Sequence, residues 1–214
     1  MKTGRRKWLA LAGAIVVLAP LAIPDSRQAL FRAAGRALVA DDTVTHVDVI
    51  VIAVDDYGAG VLEAADLVHQ GIASRVALFS DPPDVSDREF ARRGVPYYDA
   101  AALSVQQLHA LGVSAVEVIE RSVGGTEEEG LVLPRWCAER NYHSVLLVTS
   151  ADHSRRVRRV MRRAFTKQGI ELMVRYSRFS RFDPAAWWHT RTGIRTELVE
   201  SEKLLVDVLL HTLS

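Results

Sequence analysis

Short apolar runs alternate along this chain with longer stretches in which apolar residues recur every three or four positions. Short runs rich in β-branched residues are typical of fully buried strands, and the longer periodic stretches are typical of amphipathic helices. The predicted strands cover residues 47–54, 75–80, 115–119, 144–150 and 169–174. Because strands alternate with helices through short loops, we expect an α/β fold: a three-layer sandwich around a mainly parallel, Rossmann-like sheet of five strands.

Helical periodicity fills most of the chain between these strands. The predicted helices cover residues 62–71, 86–93, 103–111, 126–140, 152–168 and 194–210. In the last of them an apolar stripe is expected to face the core. This stripe consists of Leu198, Leu205, Val208 and Leu209. In the helix that begins at Thr126, the spacing from Thr126 to Glu129 is that of a capping box.

The N-terminus carries a basic cluster followed by an uncharged apolar run. Four cations precede it, Lys2, Arg5, Arg6 and Lys7. The run at residues 8–23 spans about 24 Å as a helix, enough for a short transmembrane segment. The charges before it place the N-terminus in the cytoplasm and the domain in the periplasm or another extracytoplasmic space. We therefore expect a single-pass signal anchor at 1–24, a juxtamembrane linker at 25–45 and an exported domain at 46–214. A cleaved signal peptide is the alternative.

The linker has helical spacing of its own. Leu30, Phe31, Ala34 and Leu38 recur at helical intervals within residues 26–40. Such a helix either lies on the membrane surface or packs on the domain, and the sequence leaves both alternatives open.

Charge and cysteine content narrow the functional classes. The whole chain has 27 basic and 26 acidic residues, but removing residues 1–24, with four cations and no acid, leaves 23 against 26. A slightly acidic exported domain argues against nucleic acid as a partner. The single cysteine, Cys137, has no disulfide partner and is expected to be buried and inert. No zinc or other metal site is expected, because the seven histidines include no helix-spaced pair, and nothing identifies a cofactor.

The end of the fourth predicted strand is the first candidate for chemistry. Ser150, Asp152 and His153 lie in the turn between this strand and the next helix, at the edge where open α/β sheets form their sites. At a helix N-terminus the dipole favours a neutral imidazole, which suits a general base or a metal ligand. Ser150 is a nucleophile if His153 contacts it, and Asp152 then orients the ring. Alternatively, Ser150 or Asp152 caps the helix.

The end of the first predicted strand supplies a pair of carboxylates. Asp55 and Asp56 stand where a dinucleotide fingerprint has glycines, so they do not form a phosphate loop. Either acid can bind a cation or act as a base. Capping of the following helix is the structural alternative.

Six arginines crowd the helix that follows His153. They are Arg155, Arg156, Arg158, Arg159, Arg162 and Arg163. The apolar stripe occupies the opposite side, so most of these side chains are expected to face solvent or anionic lipid headgroups. Arg156, in the first turn, is the one placed to turn inward and hold a phosphate or carboxylate.

These motifs, in this order, resemble the DUF218 family of SanA/ElyC/YdcF-like bacterial envelope proteins across residues 47–210. The most specific block is Thr-Ser-x-x-His-x-x-Arg, matched by Thr149, Ser150, His153 and Arg156. A Thr-x-Glu helix start is similar to Thr126 and Glu128. A strand that ends in serine is similar to residues 78–80, ending at Ser80, and a glutamate followed by a lysine in the last helix is similar to Glu200 and Lys203.

Two turns depart from that family pattern. Its glycine-rich first turn is replaced by Asp55, Asp56 and Tyr57, and the glycines after the second strand by Asp81, Pro82 and Pro83. The resemblance implies an envelope function in peptidoglycan or lipid-carrier metabolism.

From the motifs and the resemblance together we expect catalytic roles for Ser150, His153, Glu128 and Glu200. We expect ligand-binding roles for Asp55, Asp56, Ser80, Thr126, Thr149 and Arg156. The expected ligand is a phosphorylated envelope precursor, such as a phosphorylated lipid carrier, or another anionic lipid. A non-catalytic envelope regulator or ligand-binding module that uses the same cleft is the alternative.

Overall fold

A computed structural model describes residues 23–80, 82–96, 100–120 and 125–212 as an α/β domain around one sheet. The five strands are all parallel and lie in the order β3-β2-β1-β4-β5. Their bounds are Val49–Ile52 (β1), Arg75–Phe79 (β2), Ala115–Ile119 (β3), Ser144–Thr149 (β4) and Glu171–Tyr176 (β5). The predicted α/β class and the five-stranded sheet are confirmed, and the sheet is wholly rather than mainly parallel.

Seven α-helices are described in these ranges. They are Pro24–Ala37 (α1), Ala59–His69 (α2), Val85–Arg92 (α3), Ala100–Ala110 (α4), Thr126–Glu139 (α5), Ser154–Phe165 (α6) and Arg191–Thr212 (α7). Short 3-10 turns follow β1, at Val54–Asp56, and precede α7, at Trp187–His189.

Helices cover both faces of the sheet because successive strand residues point to opposite sides. Ile50 and Ile52 of β1 pack with α2 and α4, whereas Val49 and Val51 pack with α5 and α6. All four of these side chains are at most 1% exposed. A strand buried on both faces requires a continuous apolar run, which is the pattern that the sequence shows.

A crevice forms at the carboxyl ends of the strands, where helices leave the sheet toward opposite faces. The helices α2 and α4, which follow β1 and β2, pack on one face, and α5 and α6, which follow β3 and β4, pack on the other. The strands β1 and β4 are adjacent and in register, with Ile52 opposite Val148. Their chain continuations therefore diverge to opposite faces, and open α/β sheets bind ligands at such a switch point.

The helix α1 packs on the domain through aromatic residues. The indole Nε1 of Trp187 donates to the carbonyl of Phe31 at 2.8 Å, and the Phe31 ring lies 5.5 Å from that of Trp187 and 5.4 Å from that of Trp188. Gly35 is required here, because a Cβ at this position would lie 2.3 Å from the carbonyl oxygen of Pro184. The linker thus contains a helix that contacts the domain.

The predicted membrane span at 8–23 lies, apart from Ile23, outside the described residues. Within those residues, no helix combines the length and the apolar character that crossing a membrane requires.

The orientation predicted for the last helix is wrong. Leu198, Leu205 and Leu209 are 64, 58 and 54% exposed, and Val208 is only half-buried. The side of α7 that faces the domain instead contains acids that are at most 7% exposed, namely Glu197, Glu200 and Asp207. Apolar periodicity identifies this helix but not its orientation, because Glu200 and Asp207 have cationic partners on the domain that a helical wheel does not show.

Those partners include arginines of α6, most of which were expected to face solvent or lipid. Asp207 accepts from Arg159 at 2.7 Å and from Arg163 at 2.5 Å. Arg158 pairs with Asp42 at 2.6 Å, and Arg155 donates to the carbonyl of Val39 at 2.8 Å. Arg155, Arg162 and Arg163 are exposed, as expected, whereas Arg158 and Arg159 are half-buried. The arginines also connect α6 to α7 and to the segment after α1, which the sequence did not predict.

Candidate functional site

Two short turns form the centre of the carboxyl-edge crevice, one after β1 and one after β4. The first carries Asp55 and Asp56, and the second carries Ser150, Asp152 and His153. The helix α2 has Gly58 as its N-cap and α6 has His153, and neither helix has a side-chain cap hydrogen bond. The capping alternatives for these polar residues are therefore wrong, and the side chains are available to the crevice.

His153 lies at the centre of this polar cluster and is 8% exposed. Its Nδ1 lies 3.2 Å from Oγ of Ser150 and 3.3 Å from Oδ2 of Asp152. Its Nε2 lies 3.3 Å from Oγ1 of Thr149 and contacts the carboxylate of Asp55. The ring thus connects the end of β4 to the turn after β1.

The serine hydroxyl is shared between two acceptors. Ser150 donates to Oδ1 of Asp152 at 2.5 Å, a shorter contact than its 3.2 Å approach to His153. In this arrangement the Ser150 proton points to Asp152, and a serine nucleophile would have to turn its hydroxyl toward the imidazole.

The pKa of His153 is raised, whereas the helix dipole was expected to favour the neutral imidazole. Burial alone would lower the pKa of His153, but the hydrogen bond of Asp152 and the charges of Asp55, Asp152 and Glu200 outweigh it and raise the pKa. For Asp152, burial would raise the pKa, but the hydrogen bond and charge of His153, with the bond from Ser150, lower it. Nearby carboxylates therefore outweigh the partial charge of one helix end.

Arg156 turns inward from the first turn of α6, as predicted. Its Nη1 donates to Oγ1 of Thr126 at 3.2 Å, and its Nε lies 3.4 Å from Oε2 of Glu200. Lys203 binds the other Glu200 oxygen at 2.6 Å. Residues from three helices thus converge beside His153, and two of the cations share one buried carboxylate.

The capping box predicted for α5 is absent. Gly125 is the N-cap, at φ +113°, and no side chain caps this helix. Thr126 instead accepts from Arg156, and Oε1 of Glu129 accepts from the backbone N–H of Val54 at 2.9 Å. These two side chains therefore connect α5 to the site rather than to its own first turn.

Glu129 is a site residue that the sequence pattern did not predict. It is 3% exposed and lines the crevice, whereas the predicted Glu128 is half-buried and is not among the lining residues. The capping-box spacing concealed this role, because it offered a complete local explanation for a buried glutamate.

The converging side chains line a cleft of about 420 Å³. Its walls are Val54, Asp55, Gly125, Thr126, Glu129, Ser150, Asp152, His153, Arg156, Glu200 and Lys203. A neighbouring cleft of about 620 Å³ is lined by Asp55, Asp56, Ser150 and Asp152 together with residues 179–182. The two clefts share Asp55, Ser150 and Asp152, so these three side chains stand at the boundary between them.

Asp56 is a buried carboxyl of the second cleft. It is 3% exposed, and its Oδ2 has no hydrogen-bond partner within the described part of the chain. Burial, and next the charge of Asp55, raise the pKa of Asp56 to about 8. A large shift in a cleft is typical of functional groups.

Ser80 lies apart from the residues above. It follows β2, its backbone N–H donates to the carbonyl of Ile119 at 2.9 Å, and it lines neither cleft. The structure therefore brings together Asp55, Thr126, Thr149, Ser150, His153, Arg156 and Glu200, with Asp56 in the adjoining cleft, but it does not bring Ser80 or Glu128 to them.

One subset of these residues has the donor atoms of a metal site. Asp152, His153 and Glu200 place one ligand atom each within 4.8 Å of one another. No local sequence pattern points to this group, because Glu200 lies almost fifty residues from Asp152 and His153 along the chain.

No protein-family model matches this chain and no curated protein matches it significantly, so the resemblance to the DUF218 family remains a prediction.

Proposed function

We propose that this protein is a membrane-anchored envelope protein that binds and processes a phosphorylated envelope precursor at the boundary of β1 and β4. The observation that carries the proposal is the convergence of His153 with Arg156 in one cleft. His153 offers proton transfer, and Arg156 offers a planar cation for an anionic group. The domain would stand outside the cytoplasmic membrane, as the N-terminal charge pattern predicts.

His153 acts in this proposal as the general base. Its raised pKa makes it a stronger proton acceptor, and Asp55 and Asp152 stabilise the protonated ring that results. Thr149 and Ser150 fix the ring between two hydroxyl groups, at 3.3 and 3.2 Å. A ring held on both nitrogens keeps one orientation, which proton transfer requires.

Arg156 acts as the anion clamp. Thr126 and Glu200 hold Nη1 and Nε, so Nη2 is the nitrogen that a ligand oxygen would contact. Glu200, which is itself held by Lys203, positions the guanidinium rather than contacting the ligand. The arginine is thereby oriented before the ligand arrives, which reduces the entropy lost on binding.

A second candidate function is a ligand-binding module without turnover. The short bond from Ser150 to Asp152 favours it, because the serine proton is directed away from the imidazole. This candidate uses the same cleft and the same anion clamp. Saturable binding of a precursor without any product would support it over an enzyme.

The test uses a strain that lacks this protein and has an envelope defect. We measure whether the full chain, or each variant of it, restores the envelope when it is expressed in that strain. We expect His153→Ala and Arg156→Ala each to lose complementation at wild-type protein levels. Matched controls are His143→Ala and Arg135→Ala, which change an exposed histidine and an exposed arginine outside the cleft. Full complementation by both cleft variants would refute the proposal.

The location is tested separately by topology reporters. A reporter that is active only outside the cytoplasm, fused after residue 45, should be active, and a cytoplasmic reporter at the same position should be inactive. The opposite pattern would exclude an extracytoplasmic domain.

A further inference from the structure

The last helix, α7, carries a row of large apolar side chains on the outside of the domain. Seven of them, each 38–65% exposed, form what we call the outer face of α7: Ile194, Leu198, Val199, Leu205, Val206, Leu209 and Leu210. Single exposed apolar residues are ordinary on a protein surface, but a patch of this kind is typical of a surface that contacts another protein or a membrane. We propose that this face contacts a lipid bilayer, on which α7 lies as an interfacial helix.

Ion pairs on the opposite side of α7 hold the apolar side chains outward. Asp207 pairs with Arg159 at 2.7 Å, and Glu200 pairs with Arg156 at 3.4 Å. Turning the helix about its axis to bury the apolar residues would separate these charges, and breaking buried ion pairs is costly. The contacts that place Glu200 in the cleft therefore also present the outer face to the surroundings.

The outer face continues into a groove that reaches the candidate site. Val199, Val206 and Leu210 line this groove, of about 610 Å³, together with Thr126 and Arg156 of the polar cleft. A second copy of the chain that covered the three apolar residues would close this path. A bilayer in the same place would instead bring a lipid-linked ligand to the groove, and this consequence rests on the proposed function, whereas contact with the bilayer does not.

Charged side chains on the outer face also favour a bilayer over a second copy. Arg195 and Glu202 are exposed, and they precede Leu198 and Leu205 by three positions each, so they share the face of these leucines. An interfacial helix is buried only about 5–10 Å into the boundary between headgroups and acyl chains, where charged side chains still reach headgroups and water. An interface between two copies would take the same charges out of water, at a cost in free energy.

The position of α1 brings the predicted membrane segment close to this helix. The apolar run at residues 8–23 leads directly into α1 at Pro24. Phe31, about 10 Å further along α1, contacts Trp187 and Trp188, which lie just before α7. Tryptophan is enriched at membrane–water interfaces. The start of α1, the aromatic cluster and the start of α7 are thus neighbours, and a bilayer that holds the predicted anchor can reach the outer face.

The experiment attaches a nitroxide spin label at Leu198→Cys or Leu205→Cys in the full chain, reconstituted in vesicles of phosphatidylethanolamine and phosphatidylglycerol. The native Cys137 is fully buried and leaves the label at the introduced cysteine. Electron paramagnetic resonance compares how often the label collides with oxygen, which concentrates in lipid, and with a nickel chelate that stays in water. The matched control is Gln107→Cys, an exposed position on α4, on the opposite face of the sheet from α6. We expect the ratio of oxygen to nickel collisions to be several-fold higher at Leu198 and Leu205 than at Gln107.

Two results would overturn the proposal. One is a collision ratio at both α7 positions equal to that of the control. The other is spin–spin broadening that disappears on dilution with unlabelled chain, which would place a second copy on the outer face. Circular dichroism identifies a variant that fails to fold, and the other variant then decides.

These outcomes are separable from those of the proposed function. If the labels lie in lipid while His153→Ala and Arg156→Ala still complement, the lipid-facing surface stands and the proposed function fails. If the labels lie in water while both cleft variants lose complementation, the surface fails and the proposed function stands.

Discussion

The hydroxyl of Ser154 accepts a hydrogen bond from the backbone N–H of Ala40 at 2.8 Å, 114 residues away along the chain. Ser154 is fully buried and follows His153 directly, at the first position of α6. The next backbone N–H, that of Arg155, donates to the carbonyl of Leu38 at 2.9 Å. The segment after α1 therefore holds the start of the helix that positions His153.

We predict that Ser154→Ala destabilises the protein by about 1–3 kcal/mol, because it leaves the buried N–H of Ala40 without an acceptor. Urea denaturation followed by circular dichroism measures the loss. Ser86→Ala, an exposed serine in α3, serves as the control and should change the stability little. Equal stability of the two variants would show that the Ala40 contact does not stabilise the fold.

The sheet could be predicted from sequence because each strand is a local apolar run. Residues 115–119 are predicted and observed with the same bounds, and β1 lies inside its predicted range. The cluster at His153 was also accessible, since a strand end followed by polar residues and a helix is a local pattern. Features that depend on a single segment of the chain can therefore be predicted from the sequence alone.

The features that were missed depend on distant partners. Glu129 was assigned to a local cap because its acceptor role toward Val54 joins two elements 75 residues apart. The outward apolar face of α7 was missed for the same reason, since Asp207 is buried by arginines 44 and 48 residues away. A sequence pattern states which residues can be buried, and the tertiary partner decides which ones are.

The apolar side chains of α7 allow a direct test of whether they face outward rather than toward the core. We predict that Leu198→Gln and Leu205→Gln each change the free energy of unfolding by no more than about 0.5 kcal/mol, because both side chains are mostly exposed. Leu133→Ala in α5, where the side chain is fully buried, should cost about 2–5 kcal/mol. Thermal unfolding of the three variants measures the difference. A large loss at Leu198 or Leu205 would instead support the inward stripe expected from the sequence.

Cys137 should be chemically inert in the folded protein. Its side chain is fully buried, and burial raises the pKa of the thiol to about 12, so very little thiolate forms at neutral pH. We predict no labelling by iodoacetamide at pH 8 and complete labelling in concentrated urea, measured by intact mass. Because this is the chain's single cysteine, each label can be assigned to it. Labelling of the native protein at the rate of the unfolded chain would contradict the burial.

Acid should weaken the contact between α6 and α7. Burial would raise the pKa of Asp207, but hydrogen bonds from Arg163 and Arg159 outweigh it and lower the pKa. The ionised carboxylate therefore stabilises the folded state above the unfolded pKa of about 3.9, and this contribution is lost as the pH falls through the lower folded pKa. An exposed ion pair stabilises a protein by up to about 1 kcal/mol, and breaking a buried ion pair costs about 3–5 kcal/mol. We therefore predict that Asp207→Asn lowers the free energy of unfolding at pH 7 by an amount between these values.

The difference between wild type and Asp207→Asn should shrink as the pH falls below about 4, because wild-type Asp207 then also loses its charge. Urea denaturation at pH 7, 5 and 3 gives this difference directly. Glu202→Gln is the control, since it removes an exposed carboxyl from the same helix and leaves the Asp207 contacts intact. A difference that stays constant across the three pH values would mean that Asp207 stabilises α7 through packing or neutral hydrogen bonds. The inward acidic face of α7 would then not depend on the charges of α6.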